Sequence, residues 1–474
     1  MPKLLTIPIE LHRLILEECN LATCRSPVST SRSLRPVATE CLYRTIDGYI
    51  GEAAGSWSCR HVQLFLRSVI ENPPLASLVS AVDLDVDYYP GDDMRGTGYL
   101  KGIKFGDADT AIHEQAMGLL QRMQVGGLES WCEDLKSGSL DPWIALLISQ
   151  LRCLQDLTLK LHVLHKSRYL GRVLMHLARP GLGYFTRLRS VKFGENRFTF
   201  QMVGLDISDE IVMPLLHLPA LESLDLTLHM PCIATWPTKG LLPSLKSLTL
   251  SQWNVTVEDV DALLRLTPNL RELWCGFVRE EREDRPDSDL IDFGKLLNSS
   301  DLTATPVGLS LPDFDALRHL DVPFDFLAGG QPPHTDVDLG RVLPTGLRTL
   351  WGHRSLVNYV NLLPRFLRER QANTPFLNHI LINLTRGPAY DGVGLDAISA
   401  AEGTYPPEAV QLVALALGTG VTFVVQYGVD FDSELFRVSG RRGVDVDGDE
   451  GTADLPAAIT RALAYFRAPL IGDC

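Results

Sequence analysis

The chain has 474 residues, of which 45% are apolar, and its 58 acidic and 44 basic side chains give a net charge of −14. This acidic balance excludes a nonspecific nucleic-acid binder, because phosphate contacts need a basic surface, and it fits a protein whose partners are other proteins. The nine cysteines are odd in number and include no Cys-x-x-Cys pair, which predicts reduced thiols and a location in the cytoplasm or nucleus.

The first 46 residues carry apolar side chains at helical spacing. Leu11, Leu14 and Ile15 recur at helical intervals, and Pro8 suits the start of a helix. The opening apolar run is broken by Pro8 and closed by Glu10, so we expect no signal peptide. A helical module over 1–46 can build little core, so we expect it to pack on the following residues or on a partner. Residues 47–78 are predicted to be a linker and an N-terminal cap helix.

A six-residue phrase, Leu-x-x-Leu-x-Leu, recurs along the rest of the chain. It begins at Leu154, Leu221 and Leu245, with looser copies beginning at Leu188, Leu270, Leu317, Leu347 and Leu377. The apolar residues at motif positions 4 and 6 alternate with period two, which predicts a short strand with one buried face. One such strand cannot bury that face alone, whereas stacked neighbours can.

The spacing between motif starts, 30 residues in each of the last two steps, is typical of leucine-rich repeats in which a strand and a helix alternate. We therefore predict an α/β leucine-rich-repeat solenoid over 79–430, with parallel strands on the concave face and helices on the convex face. The first strand is expected at Val79–Leu84, a further repeat near Ala111–Met123, and a C-terminal loop with a capping helix over 431–474. The turn asparagine of such repeats is nearly absent, which predicts an irregular arc.

No segment or motif predicts a membrane span or a reaction. Ala409–Val429 is uncharged and long enough to cross a bilayer, but its central glycines favour a buried helix, turn and strand. A Gly-rich phosphate loop, a His-Glu-x-x-His motif and paired zinc cysteines do not occur. We expect no metal, no cofactor and no membrane or nucleic-acid partner, and an unrecognised site in an insertion loop is the remaining enzyme alternative.

Three N-terminal stretches carry a resemblance to a known family. Residues 5–16, Leu-Thr-Ile-Pro-Ile-Glu-Leu-His-Arg-Leu-Ile-Leu, resemble the opening of the F-box of fungal F-box proteins, and residues 20–23 followed by 28–46 resemble its end. In that family the F-box docks on the Skp-type adaptor of a cullin–RING ubiquitin ligase, and leucine-rich repeats behind it recruit the substrate. The resemblance implies that the adaptor contacts Pro8, Leu11, Leu14, Ile15 and Leu34.

The chain departs from the F-box pattern at one place. Residues 24–27 are Cys-Arg-Ser-Pro, where the family usually has apolar side chains, and a charge and a proline there would weaken a helix that the adaptor grips. The alternative interpretation of the five implied contact residues is that they pack only against the first repeats, because apolar helix faces usually belong to a core.

The non-leucine positions of the motif predict a partner-binding face. Position 2 is basic in five of its eight copies, which is either a groove for an acidic or phosphorylated segment or ordinary solvated surface neutralised by neighbouring acids. Two tryptophans at position 5 are either binding anchors or covers for the edge of an insertion. The candidate partner-binding residues are Arg189, Lys192, Arg271, Trp274, Arg318, Arg348 and Trp351.

These expectations combine into one function. The chain is predicted to be a non-enzymatic substrate-recognition subunit of a cullin–RING (SCF-type) ubiquitin ligase. Its N-terminal module would dock on the Skp-type adaptor, and its repeats would bind a target protein. The alternative is a non-catalytic leucine-rich-repeat scaffold with a vestigial F-box, which binds a protein partner without ubiquitylation. A degenerate repeat face carries no readable code, so the target is not predicted.

Overall fold

The protein is an α/β structure. The computed structural model describes residues 8–19, 21–50, 57, 59–86, 110–164, 167–177, 185–194, 209–227, 242–251, 266–276, 314–323, 339–353, 356–385, 421–428, 434–438 and 444–445. The chain divides into two compact units, Met1–Pro231 and Cys232–Cys474. Across the described ranges, no helix has both the length and the apolar content needed to cross a membrane.

Three helices open the first unit. They are α1 (Ile9–Glu17), α2 (Leu21–Thr30) and α3 (Arg35–Arg44). Their shared core is small, consisting of Leu16, Cys24, Val37 and Ala38 with partly buried neighbours. A core of this size cannot support three helices by itself, and α3 accordingly packs on a further helix of the first unit, α5 (Pro73–Leu78). These three helices lie within the range 1–46 of the predicted N-terminal helical module.

Within the described residues of the first unit, five parallel strands follow one another in chain order. They are β1 (Thr45–Ile50), β2 (Ala81–Val86), β3 (Asp156–Leu159), β4 (Ser190–Phe193) and β5 (Ser223–Thr227). Helices lie between the strands, as in the solenoid-like α/β fold that the repeats predict. The β3–β5 register aligns position 4 of each motif, so Leu157 lies opposite Val191 and Val191 opposite Leu224.

The sheet begins earlier than the sequence predicted. The first strand was expected at Val79–Leu84, within a solenoid starting at residue 79, but β1 already pairs with β2 from Thr45 onward. The linker and cap helix predicted over 47–78 therefore includes most of a strand, followed by α4 (Cys59–Glu71) and α5. A further repeat was expected near Ala111–Met123, but this segment adds no strand to the sheet. Helix α6 (Thr110–Met123) lies there, and β2 pairs directly with β3.

A backbone turn recurs before each strand of the predicted motif. The amide of the first motif leucine donates to the carbonyl of the residue three positions earlier, with distances of 2.9–3.4 Å. Those carbonyl–leucine pairs are Leu151–Leu154, Phe185–Leu188, Leu218–Leu221, Leu242–Leu245, Thr267–Leu270, Phe314–Leu317, Pro344–Leu347 and Thr374–Leu377. Proline stands second in four of these turns, the position that its fixed φ favours. The recurring structural motif therefore begins three residues before the six-residue phrase.

A fully buried helix organises the helical layer of the first unit. The helices after α6 are α7 (Leu128–Lys136), α8 (Leu140–Gln150), α9 (Leu161–Leu164), α10 (Tyr169–Leu177) and α11 (Asp209–Val212), the last continuing as a 3-10 turn, Met213–His217. Every residue of α8 from Leu140 to Ser149 is buried, and α8 packs on α4, α7 and α10.

One buried carboxyl group joins α8 to α10. Asp141 accepts hydrogen bonds from the Ser167 hydroxyl at 2.6 Å and from the backbone amides of Arg168 and Tyr169 at 2.6 and 3.2 Å. Burial raises the pKa of Asp141, while these donors act in the opposite direction. The carboxyl group satisfies amides at the start of α10 that have no partner within the helix, so its role is structural.

The second unit repeats the parallel arrangement and ends differently. Its parallel strands are β6 (Ser247–Ser251), β7 (Glu272–Gly276), β8 (His319–Pro323), β9 (Thr349–His353), β10 (His379–Thr385) and β11 (Thr422–Gly428). Helices α12 (Leu339–Val342) and α13 (Leu356–Asn373) precede β9 and β10. Strand β11 confirms the strand half predicted within Ala409–Val429, while 409–420 lies outside the described residues.

After β11 the direction of successive strands alternates. Strands β12 (Glu434–Val438) and β13 (Val444–Asp445) pair antiparallel, β12 with β11 and β13 with β12. The sequence predicted a loop here, because this segment lacks the leucine motif, and the structure has two short strands instead. The capping helix predicted near 455–466 lies outside the described residues.

Substitution of Gly48 tests whether β1 is an integral strand. A Cβ atom at Gly48 would lie 3.0 Å from Trp57 Cδ2 and 3.2 Å from Leu84 Cδ2, so Gly48→Ala should lower the free energy of unfolding by about 1–3 kcal/mol. The control is Gly118→Ala in α6, where the nearest atom is 3.9 Å away and alanine should stabilise the helix by about 0.5–1 kcal/mol. Urea unfolding measures both, and a Gly48→Ala variant as stable as the parent would contradict the close packing of β1.

Candidate protein-binding surfaces

Helix α1 presents an apolar face that the rest of the described chain leaves exposed. The exposed fractions are 47% for Leu11, 57% for Leu14 and 46% for Ile15. At 100° per residue these three side chains lie within one sector of the helix, and we call them the α1 face. Large exposed side chains at this spacing are unlike scattered surface leucines, because together they form a continuous apolar stripe.

The opposite side of α1 holds the helix in place. His12 and Leu16 are buried, and Leu16 belongs to the core shared with α2 and α3. Arg13 pairs with Glu40 of α3 at 2.7 Å, and Glu17 pairs with Arg44 at the end of α3. Such exposed pairs contribute little energy, but they fix the rotation of α1 relative to α3. The α1 face therefore points away from its own module for a definite packing reason.

The structure separates the five residues that the F-box resemblance implies as contacts. Leu11, Leu14 and Ile15 lie together on the α1 face, and exposed Pro8 precedes it, its carbonyl accepting the amides of Leu11 and His12 at 3.1 and 3.2 Å. Leu34 is different, because it is only 6% exposed at the N-terminal end of α3. The sequence predicted that an adaptor contacts Leu34, and the structure corrects this, because the buried side chain is not accessible to a partner.

The segment 24–27, where the sequence departs from the F-box pattern, is helical. Helix α2 continues through Pro27, although proline removes one backbone donor. Cys24 points into the module core, and its thiol lies 3.4 Å from the Leu16 carbonyl oxygen, while Arg25 and Ser26 are exposed. Burial is the main cause that raises the pKa of Cys24, so this thiol remains protonated and serves as a small packing residue. The departure leaves the helix formed.

The helical module is joined to the strands without intervening residues. Helix α3 ends at Arg44 and β1 begins at Thr45. The Arg44 carbonyl accepts the backbone amide of Ser80 at 2.9 Å and the Ser80 hydroxyl at 3.2 Å. Arg44 therefore occupies position 2 of a first repeat whose sequence lacks leucine. A helix end tied into the sheet in this way cannot swing as a linker would.

The basic residues at motif position 2 do not form one uniform row. Arg189, Arg271 and Arg348 are exposed. Arg318 instead donates from Nη1 to three backbone carbonyl oxygens, those of Asp315 at 2.8 Å, Leu317 at 3.3 Å and Gly346 at 3.0 Å. It therefore ties one repeat to the next. The prediction that Arg318 binds a partner is corrected in the same way, because its guanidinium already donates hydrogen bonds to backbone carbonyl oxygens of the fold.

Positions 3 and 5 of each motif share the sheet side opposite the buried leucines, which we call the open face. In the first unit Lys192 pairs with Asp225 of the next strand at 3.6 Å, which matches the interpretation that neighbouring acids neutralise these bases. In the second unit, Trp274 is half-buried and Trp351 is 42% exposed. The two tryptophans lie on either side of Asp321 in the register of β7, β8 and β9.

Sequence reasoning missed the open face of β1 and β2. Asp47 lies opposite Asp83, and Tyr49, which is 45% exposed, lies opposite Asp85. These residues alternate with buried Ile46, Gly48 and Ile50 in β1 and with Val82, Leu84 and Val86 in β2. The signal that would have found β1 was this alternation, which does not depend on leucine. The open face of β1 and β2 therefore carries acidic side chains.

The described residues offer little for covalent chemistry. Cys132 Sγ lies 3.8 Å from His113 Nε2, but burial and nearby Lys136 lower the pKa of His113. The imidazole is then neutral at pH 7 and cannot stabilise a cysteine thiolate as an imidazolium does. No group of three or more His, Cys, Asp or Glu side chains within the described ranges could hold a metal ion.

Comparison with known proteins adds no relative. No protein-family model matches the chain, and no curated protein sequence is significantly similar to it. Functional inference therefore depends on the α1 face, its connection to the strands, and the open faces.

Replacement of Arg318 distinguishes a structural from a partner-binding role at motif position 2. Arg318→Ala should lower the free energy of unfolding by about 1–3 kcal/mol, because carbonyl groups lose a charged donor. Arg348→Ala, at the same motif position one repeat later and exposed, should change it by less than about 0.5 kcal/mol. Chemical unfolding of both variants measures the difference. Equal stabilities would show that the Arg318 hydrogen bonds contribute nothing.

Proposed function

We propose that the protein is the substrate-recognition subunit of a cullin–RING (SCF-type) ubiquitin ligase. Helices α1–α3 act as an F-box-like module that docks on the Skp-type adaptor, and the strands act as an irregular leucine-rich-repeat solenoid that binds a target protein. The observation that carries this proposal is the α1 face, where Leu11, Leu14 and Ile15 are each close to half-exposed. They are three of the five residues that the F-box resemblance implies as contacts.

The α1 face has the chemistry of a helix that docks in a groove. Helix-in-groove recognition uses apolar anchors at i, i+3 and i+4, and Leu11, Leu14 and Ile15 have this spacing. Burying a leucine or isoleucine side chain contributes about 1.5–3 kcal/mol, so three half-exposed side chains offer several kcal/mol to a partner. The same area left in water has no stabilising role in the chain itself.

The direct connection of α3 to β1 supports a recognition subunit rather than a catalyst. The effect of such a subunit is to hold a target near the ligase, which raises its effective concentration. That effect is largest when the connection has a defined span. The Arg44 carbonyl, held by Ser80 at 2.9 Å, provides a fixed connection between the module and the first strands. Neither part performs covalent chemistry in this proposal.

A second candidate is a non-catalytic leucine-rich-repeat scaffold with a vestigial F-box. The burial of Leu34 favours it, because one implied adaptor contact is then unreachable. In this case the α1 face binds a protein other than the Skp-type adaptor and no ubiquitylation follows. The two candidates differ in one outcome, which is retention of adaptor and cullin by the purified chain.

Leu14→Lys tests the adaptor proposal at its most exposed residue. A charge in the middle of the α1 face should weaken binding of a purified Skp-type adaptor at least tenfold, because an apolar anchor is lost and a lysine ammonium must be desolvated. Stability should change by less than about 0.5 kcal/mol at this exposed site. Biolayer interferometry with immobilised full-length chain measures the affinity, and thermal unfolding measures the stability.

The matched control is Met175→Lys in α10. Met175 is 42% exposed, against 57% for Leu14, so the substitution adds the same charge at another exposed apolar residue of the first unit. Adaptor affinity should be unchanged in this variant. Equal affinities for the parent chain and Leu14→Lys would contradict docking through the α1 face. A parent chain that retains neither adaptor nor cullin would favour the scaffold candidate.

A further inference from the structure

Two tryptophans and a carboxyl group occupy adjacent strands of the second unit. Trp274 on β7, Asp321 on β8 and Trp351 on β9 are register partners, each at position 5 of its motif. The residues immediately before them, Leu273, Leu320 and Leu350, are buried. Because side chains alternate across a strand, the three position-5 residues share the open face. They form one row across three neighbouring strands.

The spacing of this row suits a cation between two rings. Parallel strands lie about 4.8 Å apart, so the backbones of Trp274 and Trp351 are about 10 Å apart. That distance leaves room for a flat or tetrahedral cation with a van der Waals contact of about 3.5 Å to each ring. Indole is the aromatic side chain that attracts cations most strongly. Trp351 is 42% exposed, so its ring can be reached from solvent.

The charges around the row favour a positive ligand. Asp321 is 6% exposed between the two tryptophans, and a carboxylate in such surroundings acts through a lower dielectric than water. Glu272 stands two residues before Trp274 on the same open face and is exposed. Positions 3 and 5 of β7–β9 contain no lysine or arginine; their residues are Glu272, Trp274, His319, Asp321, Thr349 and Trp351. The arginines of position 2 belong to the turns before the strands.

We propose that Trp274, Asp321 and Trp351 form a recognition site for a cationic side chain, arginine or lysine, in the target protein. The inference deepens the proposed target-binding role of the strands and rests on it. It replaces the expectation of an acidic or phosphorylated segment along the position-2 arginines. Arg318, in the middle of that row, uses its guanidinium for three backbone carbonyls. Trp351, in contrast, is 42% exposed.

The test observes the two indole rings directly in the full-length chain. The chain has seven tryptophans, so ¹⁵N-tryptophan labelling gives few indole N–H signals. The signals of Trp274 and Trp351 are assigned by their loss in the variants Trp274→Phe and Trp351→Phe. The probes are the blocked tripeptides acetyl-Gly-Xaa-Gly-amide, with arginine, lysine, citrulline or phosphoserine at the centre. Citrulline is the neutral match for arginine. We expect both signals to shift together and to saturate with the arginine or the lysine probe, and not with citrulline.

Two variants decide whether the shifts report this site. Trp351→Ala, at an exposed position, should weaken binding of the cationic probe about tenfold, in the range of a cation–aromatic contact. Asp321→Asn should weaken it severalfold while keeping the side-chain shape, with thermal unfolding as the check that the variant is folded. The relative affinities of the arginine and lysine probes identify which cation the site prefers.

The outcomes separate this site from the adaptor proposal. An equal response to citrulline, a response of one ring alone, a response only to phosphoserine, or unchanged binding in Trp351→Ala would each overturn the cation site. Trp351→Ala should still bind the Skp-type adaptor with parental affinity. A chain that binds the adaptor but does not respond to cationic probes loses this inference alone. A chain that responds to them but does not bind the adaptor loses the proposed function alone.

Discussion

Successive repeats are joined by backbone hydrogen bonds in which one carbonyl oxygen accepts two amides of the next repeat. At motif position 2 the carbonyl oxygen accepts two amides from the next repeat, those of positions 2 and 3; Gln155, for example, accepts Arg189 at 2.8 Å and Ser190 at 3.0 Å. The same pattern recurs from Arg271 to Arg318 and from Arg318 to Arg348. Because it uses backbone atoms, it tolerates almost any side chain at position 2. The fold can therefore keep its register while the leucine motif degenerates.

The N-terminal helices depend on the same interaction. Arg44 is the last residue of α3, and its carbonyl oxygen accepts the backbone amide of Ser80. The end of the helical module is therefore also the start of the first repeat. The module has only a small core of its own, and its attachment to the strands compensates for that. Helix α1 can then expose Leu11, Leu14 and Ile15 without losing its place, because His12 and Leu16 anchor its other side. Exposure of an apolar face is thus compatible with a stable position.

The parts of the structure that sequence reasoning found are those that local pattern controls. Strands β3 to β10 follow from the recurring motif, whose mostly apolar positions 4 and 6 alternate with period two, and this alternation is a local property. Strand β1 was missed because its buried side consists of Ile46, Gly48 and Ile50, and glycine contributes no hydrophobic signal. The roles of Leu34 and Arg318 depend on tertiary packing: Arg318 reaches the Gly346 carbonyl, 28 residues away. A position in the motif predicts which way a side chain points, but not whether the fold already uses it.

The central claim is that α1 is a docking helix for a Skp-type adaptor. Hydrogen–deuterium exchange of the full-length chain, with and without purified adaptor, tests it without any substitution. We predict that peptides covering Ile9–Glu17 gain protection when the adaptor binds, while peptides from α8, which is buried in the fold, exchange at the same rate in both samples. Unchanged exchange across α1 in a sample saturated with adaptor, or protection confined to the second unit, would contradict it.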